Sequence, residues 1–342
     1  MSRKVLVTGD KGYIGAVLTD LLLSKGYDVT GLDTNFYKKR LSTAIKSKKY
    51  KSINKDIRDI SQTDLQGFDS VIHLAALSND PIGELNPKLT QDINFKSTAN
   101  LAMLAKKAGI RRFIFSSSCS IYGKTKEEKV SEESKINPLT EYAKTKLLSE
   151  NYLKKISDND FCVGIMRNST VYGYSPKFRD DLVVNNFIVN GLATGKIVLL
   201  SDGTPWRPLI DVRDLSQAFL EFLLVDVEKI NGEIFNVGFN DGNYQIREVL
   251  EIVKKYLKNC DVELANKTVK DSRSYRVDFD KFSKTFPSFK KKWNMDKSVK
   301  DLIKNLEHHY TKRDLMTGTY ARLAVLKKLQ QEKKINNNLY WN

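Results

Sequence analysis

Apolar residues in the first half of the chain fall into two rhythms that take turns. Lys4–Thr8, Asp28–Asp33, Val71–Leu74, Arg112–Ser116 and Phe161–Met166 are short runs dense in Val, Ile, Leu and Phe, and read as strands. Tyr13–Lys25 repeats apolar residues at helical spacing, at Ile14, Val17, Leu18, Leu21 and Leu22. Pro87–Gly109 does the same at Ile93, Leu101, Leu104 and Ala105, and Thr140–Ile156 reads as a further helix. Strands that alternate with helices imply βαβ units, and near-continuous apolar strands imply a parallel sheet covered on both faces. The expected fold class is α/β, a doubly wound parallel sheet with a smaller C-terminal lobe.

After about residue 170 the texture changes. Loops become richer in Pro, Gly and aromatic residues, as in Tyr172-Gly173-Tyr174-Ser175-Pro176 and Gly203-Thr204-Pro205-Trp206-Arg207-Pro208. Helical stretches at Leu182–Thr194, Val212–Val225 and Gln245–Leu257 are interleaved with them. The expected organisation is a first domain over residues 1–170, an interleaved lobe over 171–310, and a basic helical extension over 311–342 carrying Leu315, Leu323, Leu326 and Leu329. Two segments near 211–238 are expected to return to the first domain: the helix after Asp211, and the strand Glu233–Val237, which can complete the sheet.

Composition narrows the class. With 342 residues, 41% hydrophobic and 29% charged, the chain is of ordinary globular make-up. No apolar run reaches the roughly 18–20 residues of a membrane span, and the N-terminal stub lacks the apolar stretch of a secretory signal, so a cytoplasmic location is expected. Cys119, Cys162 and Cys260 are scattered and odd in number, and His73, His308 and His309 show no metal-ligand spacing, so neither a disulfide framework nor a metal site is expected. The net charge of +16 raises the question of nucleic acid. Residues 254–342 carry 22 Lys and Arg against 10 Asp and Glu, whereas residues 1–253 carry 35 against 31. The excess is confined to the last quarter, which favours solvated surface over a nucleic-acid site spread across the fold.

The first strand runs into Thr8-Gly9-Asp10-Lys11-Gly12-Tyr13-Ile14-Gly15. Three glycines at this spacing, after a strand and opening a helix, suit a tight turn, close approach of backbone to a pyrophosphate and close helix–sheet packing. The helix N-terminus then faces the phosphates. Asp33 ends the second strand, where a carboxylate accepts ribose hydroxyls and repels a 2′-phosphate, so NAD is expected rather than NADP. This makes the expected sheet Rossmann-type and its smaller C-terminal lobe the substrate lobe.

Tyr142 and Lys146 stand four apart on a predicted helix and so share a face. A neighbouring ammonium favours the phenolate, which fits Tyr142 for proton transfer at a carbinol or carbonyl. The hydroxyl-rich run Ser116-Ser117-Ser118 leaves a strand at the sheet edge where ligands bind in open α/β sheets. Taken in order, Gly9-x-x-Gly12-x-x-Gly15, Asp33, Asp56-Ile57-Arg58-Asp59, His73-Leu74-Ala75-Ala76, Ser116-Ser117-Ser118 with Tyr122-Gly123, and Tyr142-x-x-x-Lys146 resemble the extended short-chain dehydrogenase/reductases of the nucleotide-sugar epimerase/dehydratase family, over about residues 4–310. The resemblance implies that Ser118 hydrogen-bonds the reacting substrate oxygen, Tyr142 is the acid/base, and Lys146 holds the nicotinamide ribose and tunes Tyr142. It places Gly9, Gly12, Tyr13, Ile14, Gly15, Asp33, Asp56, Ile57, Leu74, Ala75, Ala76 and Ser116 about the cofactor.

The same scaffold hosts several reactions. Dehydratases of this family carry an Asp-Glu pair after the catalytic Ser/Thr, whereas Cys119 and Ser120 stand here; Cys119 reads as a packing residue. What remains is hydride chemistry without an extra acid, an NAD-dependent epimerase acting at C4 through a 4-keto sugar. A net C4 dehydrogenase or reductase stays open, as does a non-catalytic dinucleotide- or RNA-binding role. For a nucleotide-diphosphate sugar, the resemblance points to Thr170, Asn185, Arg207 and Arg273, with Arg276 as the rival of Arg273. A guanidinium suits a diphosphate by paired hydrogen bonds. The resemblance also implies a homodimer through helices near 88–108 and 140–154.

Overall fold

The computed structural model describes residues 3–38, 47–78, 80–265, 274–316 and 320–342. In chain order the strands are β1 (Lys4–Thr8), β2 (Asp28–Asp33), β3 (Tyr50–Asn54), β4 (Ser70–His73), β5 (Arg112–Ser118), β6 (Cys162–Asn168), β7 (Thr170–Tyr172), β8 (Lys196–Leu199), β9 (Trp206–Asp211), β10 (Glu233–Val237), β11 (Asn243–Gln245) and β12 (Asp261–Leu264). Seven of them make one sheet in the order β10-β6-β5-β4-β1-β2-β3, and every pairing in it is parallel. The order reverses at β1, so β1 and β4 diverge to opposite sides at the edge where ligands bind in such sheets. The doubly wound α/β architecture expected from the sequence is present.

Alternation along the strands explains the layers. Val5, Val7, Val29, Ile72, Ile114, Met166 and Phe235 turn to one face and join one core. Leu6, Leu32, Val71, Phe113, Phe115, Val163 and Ile165 turn to the other face and join a second. A strand buried on both sides must be apolar at every position, which is why the period-2 signal is weak in it. The first core holds helices Tyr13–Ser24 and Val212–Leu224; the second holds Ser97–Lys107 and part of Glu141–Ile156. Helix Val212–Leu224 packs in the first core beneath the main sheet, and β10 pairs with β6 at its edge.

Helix ends follow their local chemistry. Thr140 Oγ1 accepts from Ala143 N at 3.3 Å and caps Glu141–Ile156. Asp211 accepts from Arg213 N at 2.9 Å and caps Val212–Leu224. The stretch expected as one helix from Pro87 is helical to Lys107, but it widens into a π turn at Asp92–Lys96. Such turns aim a side chain out of helical register, often at functional sites. Here the residue is Asn94, which accepts from Leu77 N at 2.8 Å and donates to Leu77 O at 3.2 Å.

Two smaller sheets build the lobe: β11-β9-β7 and β12-β8. Beyond residue 311 the expectation of a single basic helix is corrected. Helices Lys312–Met316 and Arg322–Gln331 are followed by a tight turn in which Ile335 pairs with Trp341. Lys333 and Leu339 take positive φ, which ends helical geometry there. Among the described residues no helix is long and apolar enough to cross a membrane.

One buried ion pair joins these elements. Glu150, on the Glu141–Ile156 helix, meets Arg167 of β6 at 2.8 Å, and both side chains are almost fully enclosed. Arg167 also donates to Tyr122 Oη at 3.0 Å, Tyr122 donates to Asn236 of β10 at 2.7 Å, and Ser117 of β5 donates to Glu150. Removing one partner leaves an uncompensated buried charge, at a cost of about 3–5 kcal/mol. Arg167→Leu is therefore expected to lose that much stability in urea titrations, and Glu150→Leu with Arg167→Met to recover most of it. Equal losses in the single and double variants would remove the ion pair from this role.

Candidate active site

The loop after β1 is shaped by contacts that exclude side chains. Gly9 sits at φ +76° with its α-carbon against the backbone of Ala75, where a Cβ would fall 2.8 Å from Ala75 N. A Cβ on Gly15 would stand 2.1 Å from Gly9 O. The first turn of Tyr13–Ser24 therefore lies directly over the loop, with Gly12 at its N-cap and Ile14 half-buried beyond it. Tyr13 itself is buried and donates to Gly173 O at 2.6 Å. Asp33 ends β2 beside this loop, where its carboxylate accepts from Lys11 N at 3.2 Å and Asn35 N at 2.6 Å.

Across the sheet edge, Thr8 Oγ1 lies 2.7 Å from His73 Nδ1, and His73 Nε2 lies 2.8 Å from Thr98 Oγ1. Thr98 spends its own proton on Asn94 O at 2.6 Å. His73 must then donate through Nε2 and accept at Nδ1 from Thr8. Burial holds this histidine neutral, pushed down to about 3. Thr8 also accepts from Ala75 N at 3.3 Å, so a hydrogen-bond chain joins the glycine loop, the Leu74-Ala75-Ala76 strand end and the π turn.

Ser116, Ser118, Tyr142 and Lys146 gather on the next strand and helix. Lys146 Nζ donates to Ser116 O at 2.7 Å, and lies 4.7 Å from the Phe115 ring centre and 5.8 Å from that of Tyr142. Ser116 Oγ accepts from Asn168 Nδ2 at 2.9 Å. Ser118 ends β5 half-buried, accepting from Ser120 N at 3.1 Å. Tyr142 is half-buried at the start of its helix. Burial pushes Lys146 down to about 7, and the nearby Glu150 carboxylate acts the other way. Cys119 is buried, with its thiol on Arg167 O at 3.1 Å and its pKa raised by burial.

The remaining expected residues divide into four groups. Thr170 opens β7 two residues after Asn168, and Arg207 lies on the adjacent β9, so both share one small sheet that continues from the end of β6. Arg207 stands 5.8 Å from the Tyr275 ring centre. Asn185 is fully enclosed; its Oδ1 accepts from Gly173 N, and its Nδ2 donates to Arg179 O and Tyr13 Oη. That makes it a brace for the 173–179 loop. Asp56 caps the turn Ile57–Asp59 and pairs with Arg58, while Ile57 is buried in the second core. Arg273 lies outside the described residues; Arg276 pairs with Glu128 at 3.2 Å and stacks on Trp206 at 4.9 Å.

A model of the NAD-dependent epimerase/dehydratase family matches residues 5–238. The chain belongs to that family. It is 31% identical to a putative UDP-glucose 4-epimerase of Methanocaldococcus jannaschii over 73% of this chain and 81% of that one. It is 31% identical to UDP-glucose 4-epimerase 2 of Arabidopsis thaliana over 75% of this chain and 81% of the relative. A solved NAD-dependent NDP-hexosamine 5,6-dehydratase matches with a TM-score of 0.80 at 21% identity, over 90% of this chain and 99% of its own, a likeness of fold.

This family member's cofactor is NAD, and the residues present fit it. At Gly15 a Cβ would collide with Gly9 O, so only glycine lets the helix N-terminus close on the loop as a dinucleotide-binding turn requires. At the opposite end of the same edge, Asn168 Oδ1 is buried without a hydrogen-bond donor among the described residues, an acceptor suited to a ligand. Two residues of this site carried no motif. Asn94 is recognisable only once the π turn exists. Asp10 is buried in the glycine loop, accepts from Tyr50 Oη at 2.6 Å, and occupies the space where a side chain at Gly31 would lie. Burial pushes it up to about 6.

Lys146 leads to a test of the site's electrostatics. Its pKa when folded lies below that of an unfolded lysine, so the folded protein binds fewer protons between about pH 7 and pH 10 and gains stability as pH rises through that window. Lys146→Met removes this dependence. Its urea midpoint is expected to exceed that of the parent most at pH 7 and below, with the gap closing toward pH 10. Parallel profiles for the two proteins would contradict the buried ammonium.

Proposed function

We propose that this protein is a nucleotide-sugar epimerase acting at C4 through a transient 4-keto sugar. One observation carries the reading. Ser118, Tyr142 and Lys146 lie along the ligand edge beside the glycine cradle, and the position after Ser118 holds a buried, protonated thiol in place of an acid. The relatives named UDP-glucose 4-epimerase support the carbon and the reaction.

When bound, NAD supplies a hydride acceptor at the first half-reaction and a hydride donor at the second. Gly9, Gly12 and Gly15 would hold its pyrophosphate, with Tyr13 and Ile14 opening the helix behind them. Asp33 would take the adenosine ribose, Asp56 and Ile57 would border the adenine, and Leu74, Ala75, Ala76 and Ser116 would line the path to the nicotinamide ribose at Lys146. Tyr142 removes the proton of the C4 hydroxyl as that carbon loses its hydride. Ser118 hydrogen-bonds the same oxygen, and the charge of Lys146 favours the phenolate of Tyr142. Once the keto sugar has turned over in the site, Tyr142 would return the proton to the same oxygen. Arg207 and Thr170 hold the substrate's distal part, with Arg273 or Arg276 as the second phosphate contact.

The compartment is taken to be the cytoplasm, in keeping with three free cysteines. The active form is taken to be a homodimer. Met103 and Leu148, 40% and 41% exposed, stand on the two helices expected to pair. Met103→Glu with Leu148→Glu is expected to halve the mass found by light scattering. An unchanged mass would move the contact elsewhere or leave the parent monomeric.

Enzyme loaded with NAD is expected to interconvert UDP-glucose and UDP-galactose, or their N-acetylated counterparts, by proton NMR without net change in reduced-nicotinamide absorbance. Tyr142→Phe is expected to lower turnover by about 100-fold or more. Stoichiometric NADH with release of a keto sugar would make the enzyme a net dehydrogenase instead. Full turnover by the Phe variant would overturn the role of Tyr142.

A further inference from the structure

The last 23 residues lie beyond the family model, which ends at residue 238, yet they are built into the cofactor side of the sheet. Leu326, Ile335 and Leu339 are buried in the same core as Leu32, Phe36 and Ile57. These three partners belong to β2, the loop after it and the turn after β3. Those segments flank Asp33, the carboxylate that ends β2 at the ribose position of a dinucleotide fold.

The polar contacts are specific. Trp341 Nε1 donates to Thr34 O at 2.7 Å, one residue after Asp33, and its ring lies 5.7 Å from that of Phe36. Arg58, held by Asp56, donates to Asn338 O at 2.8 Å and lies flat on Tyr340, 3.6 Å from the ring centre. A single turn of chain thus grips the loop after β2 with one end and the turn after β3 with the other. Farther back, Arg322 is buried over the Tyr37 ring at 3.9 Å and donates to Lys177 O at 2.9 Å. Lys177 Nζ in turn donates to Tyr37 O at 2.6 Å. The extension therefore ties the loop after β2 both to the neighbouring turn and to the lobe.

We propose that residues 320–342 are a strap that retains NAD from its adenosine end, with Trp341, Tyr340 and Arg322 as positioning residues. For the adenosine to leave, the segments around Thr34–Tyr37 and Asp56–Asp59 have to separate, and the strap holds them together. Entry needs the same separation, so the strap slows release and association alike and its effect is read in the rates.

The inference rests on the NAD reading, so the experiment begins with binding of NAD alone to the full-length parent. Radiolabelled NAD on the parent is chased with unlabelled NAD, and the release rate is compared with Tyr340→Ala/Trp341→Ala and with Trp341→Phe. Release is expected to quicken about tenfold in the double variant, less in the Phe variant, which keeps the ring but loses the N–H donor. Hydrogen exchange is expected to rise at residues 34–38 and 56–59 in the double variant and to stay unchanged in β5 and β6. Release within twofold of the parent, from a double variant with parental near-ultraviolet circular dichroism, would overturn the strap and leave the NAD reading standing. A double variant that lost that signal would overturn the strap in favour of a general packing role. No NAD binding by the parent would overturn both.

Discussion

The candidate site depends on the helix Glu141–Ile156 staying in register with the sheet. Tyr142 and Lys146 are one turn apart on it, and Glu150 is the next residue on the same stripe. Glu150 is fixed by Arg167 from β6 and by Ser117 from β5, so the helix is pinned to two adjacent strands one turn below the lysine. A displacement of one ångström here would shift proton transfer out of range. Two charges enclosed this fully gain little net stability over apolar residues of the same size. What the pair supplies is position. It also adds a negative charge near Lys146, offsetting part of the burial that drives that lysine toward neutrality.

A second constraint acts on the same face of the sheet, from the neighbouring helix. The π turn at Asp92–Lys96 directs Asn94 to Leu77, and Asn94 O also receives Thr98 and the Ser149 hydroxyl of the catalytic helix. Through Thr98, His73 and Thr8 the same chain reaches the backbone of Ala75, against which Gly9 is packed. The glycine loop and the helix Glu141–Ile156 are thus held by one continuous set of buried hydrogen bonds. Each member is satisfied in turn, and this makes a neutral buried histidine tolerable.

Much of this could be read from residue pattern, for a physical reason. Gly9, Gly15, Asp33, Tyr142 and Lys146 sit where backbone proximity or charge placement admits few residue types, so the chemistry leaves a local mark. The strands β1, β2, β4, β5, β6 and β10 were visible because burial on both faces demands apolar residues. β3 was not, since Lys51, Ser52 and Asn54 face solvent on an outer strand. The π turn, Asn94 and the Glu150–Arg167 pair depend on contacts between residues 17 to 51 positions apart, which no short window contains. Asn185 carried the signature of a polar contact residue, but its amide is consumed in bracing Tyr13 and Gly173.

The basic extension was the least legible part, and its geometry explains why. Leucine spacing over 315–329 suggests one helix that continues to the end, but the chain turns at Lys333 and again at Leu339, both at positive φ. A leucine held there costs about 1–2 kcal/mol in local backbone energy. Full burial of its side chain returns about 1.5–3 kcal/mol, and Leu339 is only 6% exposed. Asn336 adds to this by accepting from Asn338 N and Tyr340 N. The turn is therefore a product of what it packs against, and the charge nearby follows the same logic. Arg322 is buried on Tyr37, while Lys328 and Lys334 share Glu332 at the surface. A segment whose backbone is strained in isolation and relieved against the loop after β2 and the turn after β3 is coupled by that fact to the order of those loops.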